Sequence, residues 1–331
     1  MSTKAMSSAE KIRQKAASCL HVSSYLLDFF QRAKPVSEKE RSGFERALRP
    51  RSKKATSSVP ISSYPPDFFQ RAKPVSEKER SGFERNAETC FKEDIMKIVY
   101  IHHSAFYVET ESACLLFDYF KGALPEIPDN KPLYIFASHR HPDHFAPVIF
   151  EVAASHSDTK LILSSDIWRK RVPAEQKENT VFLDPGKTWE DGQLMVETFK
   201  STDEGVAFWC FVDGYEIYHA GDLNHWYWDG EDDQWNEDMT EAYRKEIKKM
   251  HGRTADVAFL PLDPRQEQYF YLGIDDFMKE ADAKRIFPMH FWENYTMGAR
   301  LKELPCSRSY REKIVEIKWE GETFEYQKER E

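Results

Sequence analysis

Residues 138 to 145 read SHRHPDHF, which sets His139, His141, Asp143 and His144 in the spacing H-x-H-x-D-H. Neutral imidazoles and carboxylates are the donors that zinc and similar borderline cations take, at about 2.0 to 2.2 Å. Pro142 biases His141 away from helical backbone. His139, His141 and Asp143 are therefore expected to alternate along an extended chain and project to one side, with His144 turning in at the start of a following helix. Four donors in six residues exceed what one open catalytic ion uses, so two ions are implied, each completed from elsewhere in the chain. A water held by such ions loses a proton near neutral pH and attacks as hydroxide, while the metal polarises the oxygen under attack. Asp143 is the natural residue to orient that hydroxide or to carry its proton. The implied chemistry is hydrolysis.

The segments that must carry these residues begin at Met96. KIVYIHHSAFYVE and ACLLFDYF read as paired strands, PLYIFAS as a buried strand and APVIFEVAAS as the helix after it. KLILSS, TVFLD, LMVETFKS, VAFWCFVD and YEIYHAGD read as further strands, with Asp213-Gly214 as a hairpin turn between the last two. MTEAYRKEIKKMH is an amphipathic helix, DVAFLPLD and RIFPMHF are strands, and IVEIKWEGETFEYQ is expected to close the chain as a hairpin. This order implies a layered α/β architecture with sheets inside and helices outside. DPGKT, ending at Thr188, is a turn, because a phosphate loop needs glycine where Val181 stands.

With these motifs in this order, the sequence resembles the metallo-β-lactamase superfamily over about residues 96 to 326. The resemblance implies an αββα sandwich of two mixed β-sheets flanked by helices, with a metal centre at one edge. Asp118 in LLFDYF matches the aspartate that braces the metal loop, Asp222 in YHAGDLN the bridging aspartate, and His290 in FPMHFW the last metal histidine. By that resemblance His139 and His141 belong to a first ion, Asp143, His144 and His290 to a second, and Asp222 bridges them. HHSAFYVE, STDEGVAFW and IYHAGD look most like the branch that includes L-ascorbate-6-phosphate lactonase. One or two divalent ions are expected, zinc foremost, with manganese or iron as alternatives. The third histidine of the first ion should fall just before STDEG, where this chain has Lys200, a cation and a poor ligand. Unless Asp203, Thr202 or His225 substitutes, the first site should be weak and the second tighter.

Several residues have structural as well as functional readings. His219 is expected to support the site or pack in the core, and one of His102 and His103 to pack while the other faces the site. Arg265 in LDPR, Lys200 and His225 are candidates for contact with substrate. A phosphate or carboxylate would suit two cations beside a metal, and surface ion pairing is the alternative for Arg265. LNHWYWDGEDDQW, directly after Asp222, could form an aromatic wall of the pocket or pack on the next helix. The substrate is expected to be a small molecule with an ester, lactone or related bond. A phosphodiesterase of the same fold and a non-catalytic metal-binding domain are the competing readings.

Composition narrows the partners. The first 95 residues carry net charge +7 and the remainder −16, and all eight tryptophans lie in the remainder. An acidic body offers no nucleic-acid-coating surface. DFFQRAKPVSEKERSGFER occurs at 28 to 46 and again, letter for letter, at 67 to 85. With so little apolar content, residues 1 to 95 are expected to be a largely disordered basic extension, and 96 to 331 the hydrolase domain. Met96 opens the ordered pattern as if a protein began there. The five cysteines are widely spaced with no C-x-x-C, which suggests free thiols in a reducing, cytoplasmic setting. No apolar run approaches the roughly 20 residues that span a bilayer. A homo-oligomer is compatible with everything above.

Overall fold

The computed structural model describes residues 95–328. The chain divides into two units, Met1–Glu77 and Lys78–Glu331, and the described residues all belong to the second. The duplicated segment and the expected basic extension lie outside the described residues, Ile95 excepted.

Two mixed sheets build this unit. The first has the order β13-β1-β2-β3-β4-β5-β6, formed by β1 (Ile95–His102), β2 (Ala105–Glu109), β3 (Cys114–Phe117), β4 (Leu133–Ala137), β5 (Thr159–Ser164), β6 (Thr180–Leu183) and β13 (Thr323–Gln327). The second runs β12-β11-β10-β9-β8-β7, from β7 (Thr188–Glu190), β8 (Met195–Lys200), β9 (Val206–Val212), β10 (Tyr215–His219), β11 (Thr254–Pro261) and β12 (Asp282–Met289). The helices are α1 (Val148–Ser155), α2 (Asp233–Ile247), α3 (Leu272–Glu280) and α4 (Met297–Glu303).

Strand burial explains the layering. CLLF of β3 and LYIFA of β4 are buried at every position, the pattern of parallel strands covered on both faces. Alternate residues divide between two cores. Leu115, Phe117, Tyr134 and Phe136 face the second sheet, where they join Phe208, Phe259 and Phe287. Cys114, Leu116, Leu133 and Ile135 face outward, where Ile149 and Phe150 of α1 cover them. Asp213 and Gly214 both have positive φ, 49° and 75°, the backbone that a two-residue hairpin requires, and β9 and β10 pair across them. α2 starts where the Asp232 side chain accepts a hydrogen bond from Trp235 N.

Three expectations need correction. KIVYIHHSAFYVE is two strands folded back at His103-Ser104, with β1 and β2 antiparallel. The last segment is no hairpin: Ile314 forms an isolated bridge to Ile286 of β12, whereas β13 pairs with β1. His141 to His144 do not run extended, because His141 O accepts from both His144 N (3.0 Å) and Phe145 N (2.8 Å). Pro142 sits in a tight turn, where its fixed φ is equally at home. Among the described residues no helix is long and apolar enough to cross a membrane, and Cys114, Cys210 and Cys306 are unpaired.

Candidate metal centre

The candidate ligands collect at one end of the sandwich, where strands stop and turns begin. Asp118 follows β3 in a left-handed conformation, φ 45°, and is fully buried. Its Oδ1 accepts from Ser138 N at 2.7 Å, and its Oδ2 accepts from Ser138 Oγ and lies 2.7 Å from His144 Nδ1. Burial works against the Asp118 charge, but His144, His219 and His139 outweigh it and hold the carboxyl below its ordinary range. An ionised Asp118 keeps the proton of His144 on Nδ1 and frees Nε2 as a donor to a metal. Glycines let the facing turns approach. A Cβ at Gly205 would lie 2.0 Å from Ser138 O, and one at Gly221 would lie 2.6 Å from Ser138 Cβ.

Asp222 divides the donors between its two oxygens. Its Oδ1 lies 3.3 Å from His144 Nε2 and 3.5 Å from His290 Nε2, and its Oδ2 lies 3.6 Å from His139 Nε2. His139 Nε2 in turn is 3.0 Å from His141 Nδ1, which is 3.5 Å from Asp203 Oδ2. Two sets of donors result, each with ligand atoms within 4.8 Å of one another: His139, His141, Asp203 and Asp222, and His103, Asp143, His144 and His290. Donors about 2.1 Å from one ion at tetrahedral angles lie about 3.4 Å apart, and the separations of 3.3 to 3.6 Å around Asp222 match such edges. His103 Nε2, His144 Nε2 and Asp222 Oδ1 are buried with no hydrogen-bond partner. Orphaned atoms of this kind cost stability unless something else satisfies them, and a divalent cation at the centre would do so. The residues present therefore fit one or two such ions.

The electrostatics agree. Burial lowers His139 and His103 to about 4, so both imidazoles are neutral at pH 7. Burial and the Asp222 carboxylate push Asp203 up. His290 meets burial too, but Asp222 and Asp263 overcome it and raise it to about 10. Asp263 Oδ2 lies 3.0 Å from His290 Nδ1 and also bonds the Arg265 guanidinium.

Beside the donors lies a cavity of about 390 Å³, lined by His141, Asp143, Asp222 and His290 and walled by Trp226, Trp228, Trp235 and Trp292. Arg265 reaches the same cavity, held by Asp263 and lying over the Trp292 ring, 4.7 Å from its centroid.

The structure brings together His139, His141, Asp143, His144, Asp222 and His290, with Asp118 behind them. It places two of the substrate candidates elsewhere. Lys200 is exposed at the end of β8, its backbone N donating to Glu246. His225 is buried between Asp276 and Thr240, bracing α2 against α3. Asp203 stands where the first set lacked a donor, three residues past Lys200 on the β8–β9 loop. His219 supports the site: its Nδ1 accepts from Gly221 N and its Nε2 bonds Ser104 O. His102 bonds Glu320 instead of facing the cavity. Of His102 and His103, one of which was expected to face the site, it is His103 that joins the second set; the HH pair following a strand was its only signal.

Fold and site together define a metal-dependent hydrolase of the metallo-β-lactamase fold. Residues 97–237 match the family described as Beta-lactamase superfamily domain. The chain is 25% identical over 213 residues to a UPF0173 metal-dependent hydrolase of Pyrococcus abyssi, covering 60% of this chain and 85% of that protein. A UPF0173 metal-dependent hydrolase of Desulforamulus reducens is 26% identical over 217 residues, covering 59% and 84%. In fold the chain is similar to Igni18, a metallo hydrolase from Ignicoccus hospitalis, with TM-score 0.51 and 19% identity over 71% of this chain and 100% of that one.

Proposed function

We propose that this hydrolase acts on a small anionic ester or lactone, of which a sugar-phosphate lactone is one example. The observation that carries the reading is Arg265 at the wall of the cavity that Asp143, Asp222 and His290 also line. Bound divalent ions supply an acidified water as nucleophile and polarise the oxygen of the scissile bond. Asp143 lines the cavity and is only partly exposed. Burial opposes its charge, but the neighbouring His103 and His144 hold the carboxyl well below the usual range. It is thus ionised at neutral pH and can take the proton of an attacking water on its carboxylate. The guanidinium of Arg265 offers charge-assisted hydrogen bonds to a phosphate or carboxylate. The tryptophans give the organic part of the substrate flat apolar walls. Zinc is the preferred ion, with manganese or iron as alternatives, and the unpaired cysteines suit a reducing, cytoplasmic compartment.

The test is hydrolysis by zinc- or manganese-loaded protein of lactones and esters with and without a phosphate, of thioesters, and of bis-p-nitrophenyl phosphate, beside Asp143→Ala. Turnover of the phosphorylated lactone or ester, lost in the variant, supports the proposal. Activity on the phosphodiester alone replaces it with a phosphodiesterase. Bound metal without turnover of any substrate replaces it with a binding domain.

A further inference from the structure

We infer that His103 is itself a ligand of the ion held by Asp143, His144 and His290. The inference rests on the metal-centre reading and goes beyond it, because the H-x-H-x-D-H motif and its distant partners leave no place for a residue of the β1–β2 turn.

His103 is 3% exposed, and its Nε2 is buried without a hydrogen-bond partner. The nearest carboxylate atom, Asp143 Oδ2, stands 3.5 Å away, beyond the range of a normal hydrogen bond. That separation equals the edge between His290 Nε2 and Asp222 Oδ1, also 3.5 Å, as expected of donors around a common ion. The ring packs 4.2 Å from that of His290 and 4.6 Å from that of Trp292, with His144 at 5.8 Å. Its backbone is fixed as firmly as its ring. His103 N donates to Tyr100 Oη at 3.0 Å, and His103 O accepts from His290 N at 3.3 Å. Both histidines have left-handed backbone, φ 53° and 62°, a conformation kept only where surrounding structure enforces it.

A contact with substrate is the other role open to a buried imidazole, but His103 does not line the cavity. It faces Asp143, His144 and His290 from behind. With His103 included, the second ion has three imidazoles with the Asp143 and Asp222 carboxylates. The first has two imidazoles with Asp203 and Asp222, and its His141 and Asp203 side chains are each 40% exposed. The two sites therefore differ in affinity: zinc fills the imidazole-rich buried site first.

Two measurements test this on the full chain. X-ray absorption of protein loaded with one equivalent of Zn²⁺ should count three imidazoles around zinc; two would overturn the inference. Zinc affinity by chelator competition should fall at least about tenfold in His103→Gly, since loss of even an outer hydrogen-bond partner of a ligand costs that much. Glycine accepts the left-handed backbone without strain, and His103→Asn, which tolerates it, is the second variant. Affinity equal to wild type in a folded variant overturns the assignment of His103 and leaves the hydrolase reading standing. A wild-type protein that binds no zinc overturns both.

Discussion

Asp118→Asn changes one atom of a buried side chain and should disable the metal centre without unfolding the protein. The carboxylate accepts from Ser138 N and Ser138 Oγ and meets His144 Nδ1, all at 2.7 Å. An amide can keep only part of this. With its oxygen on Ser138 N, its NH₂ faces His144 Nδ1 and favours the tautomer protonated on Nε2, the atom aimed at the metal. With the amide flipped, NH₂ faces Ser138 N–H, donor against donor, in the loop that carries His139. Ser138 Oγ can turn to accept in either case. One buried donor is thus misdirected whichever way the amide sits, which costs about 1–3 kcal/mol. That corresponds to roughly 5- to 150-fold in zinc affinity, and it brackets the roughly 10- to 100-fold seen when a partner behind a metal ligand is lost. Chelator competition would read the tighter ion's affinity in wild type and variant, with circular dichroism of the metal-free proteins as the control. An affinity within about twofold of wild type in a folded variant would refute the claim that Asp118 sets the His144 tautomer.

Other perturbations test separate parts of the site. Gly205→Ala would force a Cβ to within 2.0 Å of Ser138 O at φ 69°. At about 1–3 kcal/mol for overpacking and about 2–4 °C per kcal/mol, Tm should drop by several degrees; an unchanged melt would show that the loop yields freely. In the metal-free protein His290 stands at about 10 and His144 is also raised, burial being outweighed at both by carboxylates that include Asp222. His290 thus carries a proton at neutral pH that ligation must displace, so zinc binding should release protons and tighten from pH 6 to 8. Calorimetry in buffers of different ionisation enthalpy reads this, and binding without proton release would contradict it. Arg265→Gln should lower kcat/KM for a phosphorylated substrate by about 10- to 100-fold, the worth of a charge-assisted hydrogen bond, and spare its neutral analogue. A fall for both would mean that Arg265 acts through Asp263 and His290. Lys200→Ala should alter neither metal content nor rate, because its side chain points to solvent; loss of metal would return Lys200 to the site.

Most of the fold was legible because each strand carries its own apolar pattern. The closing segment shows where that signal stops. IVEIKWEGETFEYQ alternates as a hairpin would, yet Val315 N bonds Ile286 O on one sheet, while Tyr100 N bonds Glu322 O on the other. The segment crosses between the edges of both sheets. Period-two alternation reports that a residue faces a core, and says nothing about which sheet supplies its partner.

The site divides along the same line. H-x-H-x-D-H could be read because its four donors sit on one short loop. Asp222 and His290 were legible through resemblance, since their short motifs end strands. Asp203 and His103 lie on turns, where side-chain direction follows no period. The strand pairing shifts register between Tyr100 and His102, so alternation along β1 could not assign His102 and His103 to opposite faces. What selects His103 is the backbone. His103, Asp118 and His290 are three of the seven non-glycine residues with positive φ among those described, and all three bear on one group of donors. Left-handed backbone in a histidine or aspartate is unfavourable unless packing and hydrogen bonds enforce it. Three such residues around orphaned nitrogens mark a centre whose shape the surrounding sandwich sets, and that is a tertiary property no single segment could disclose.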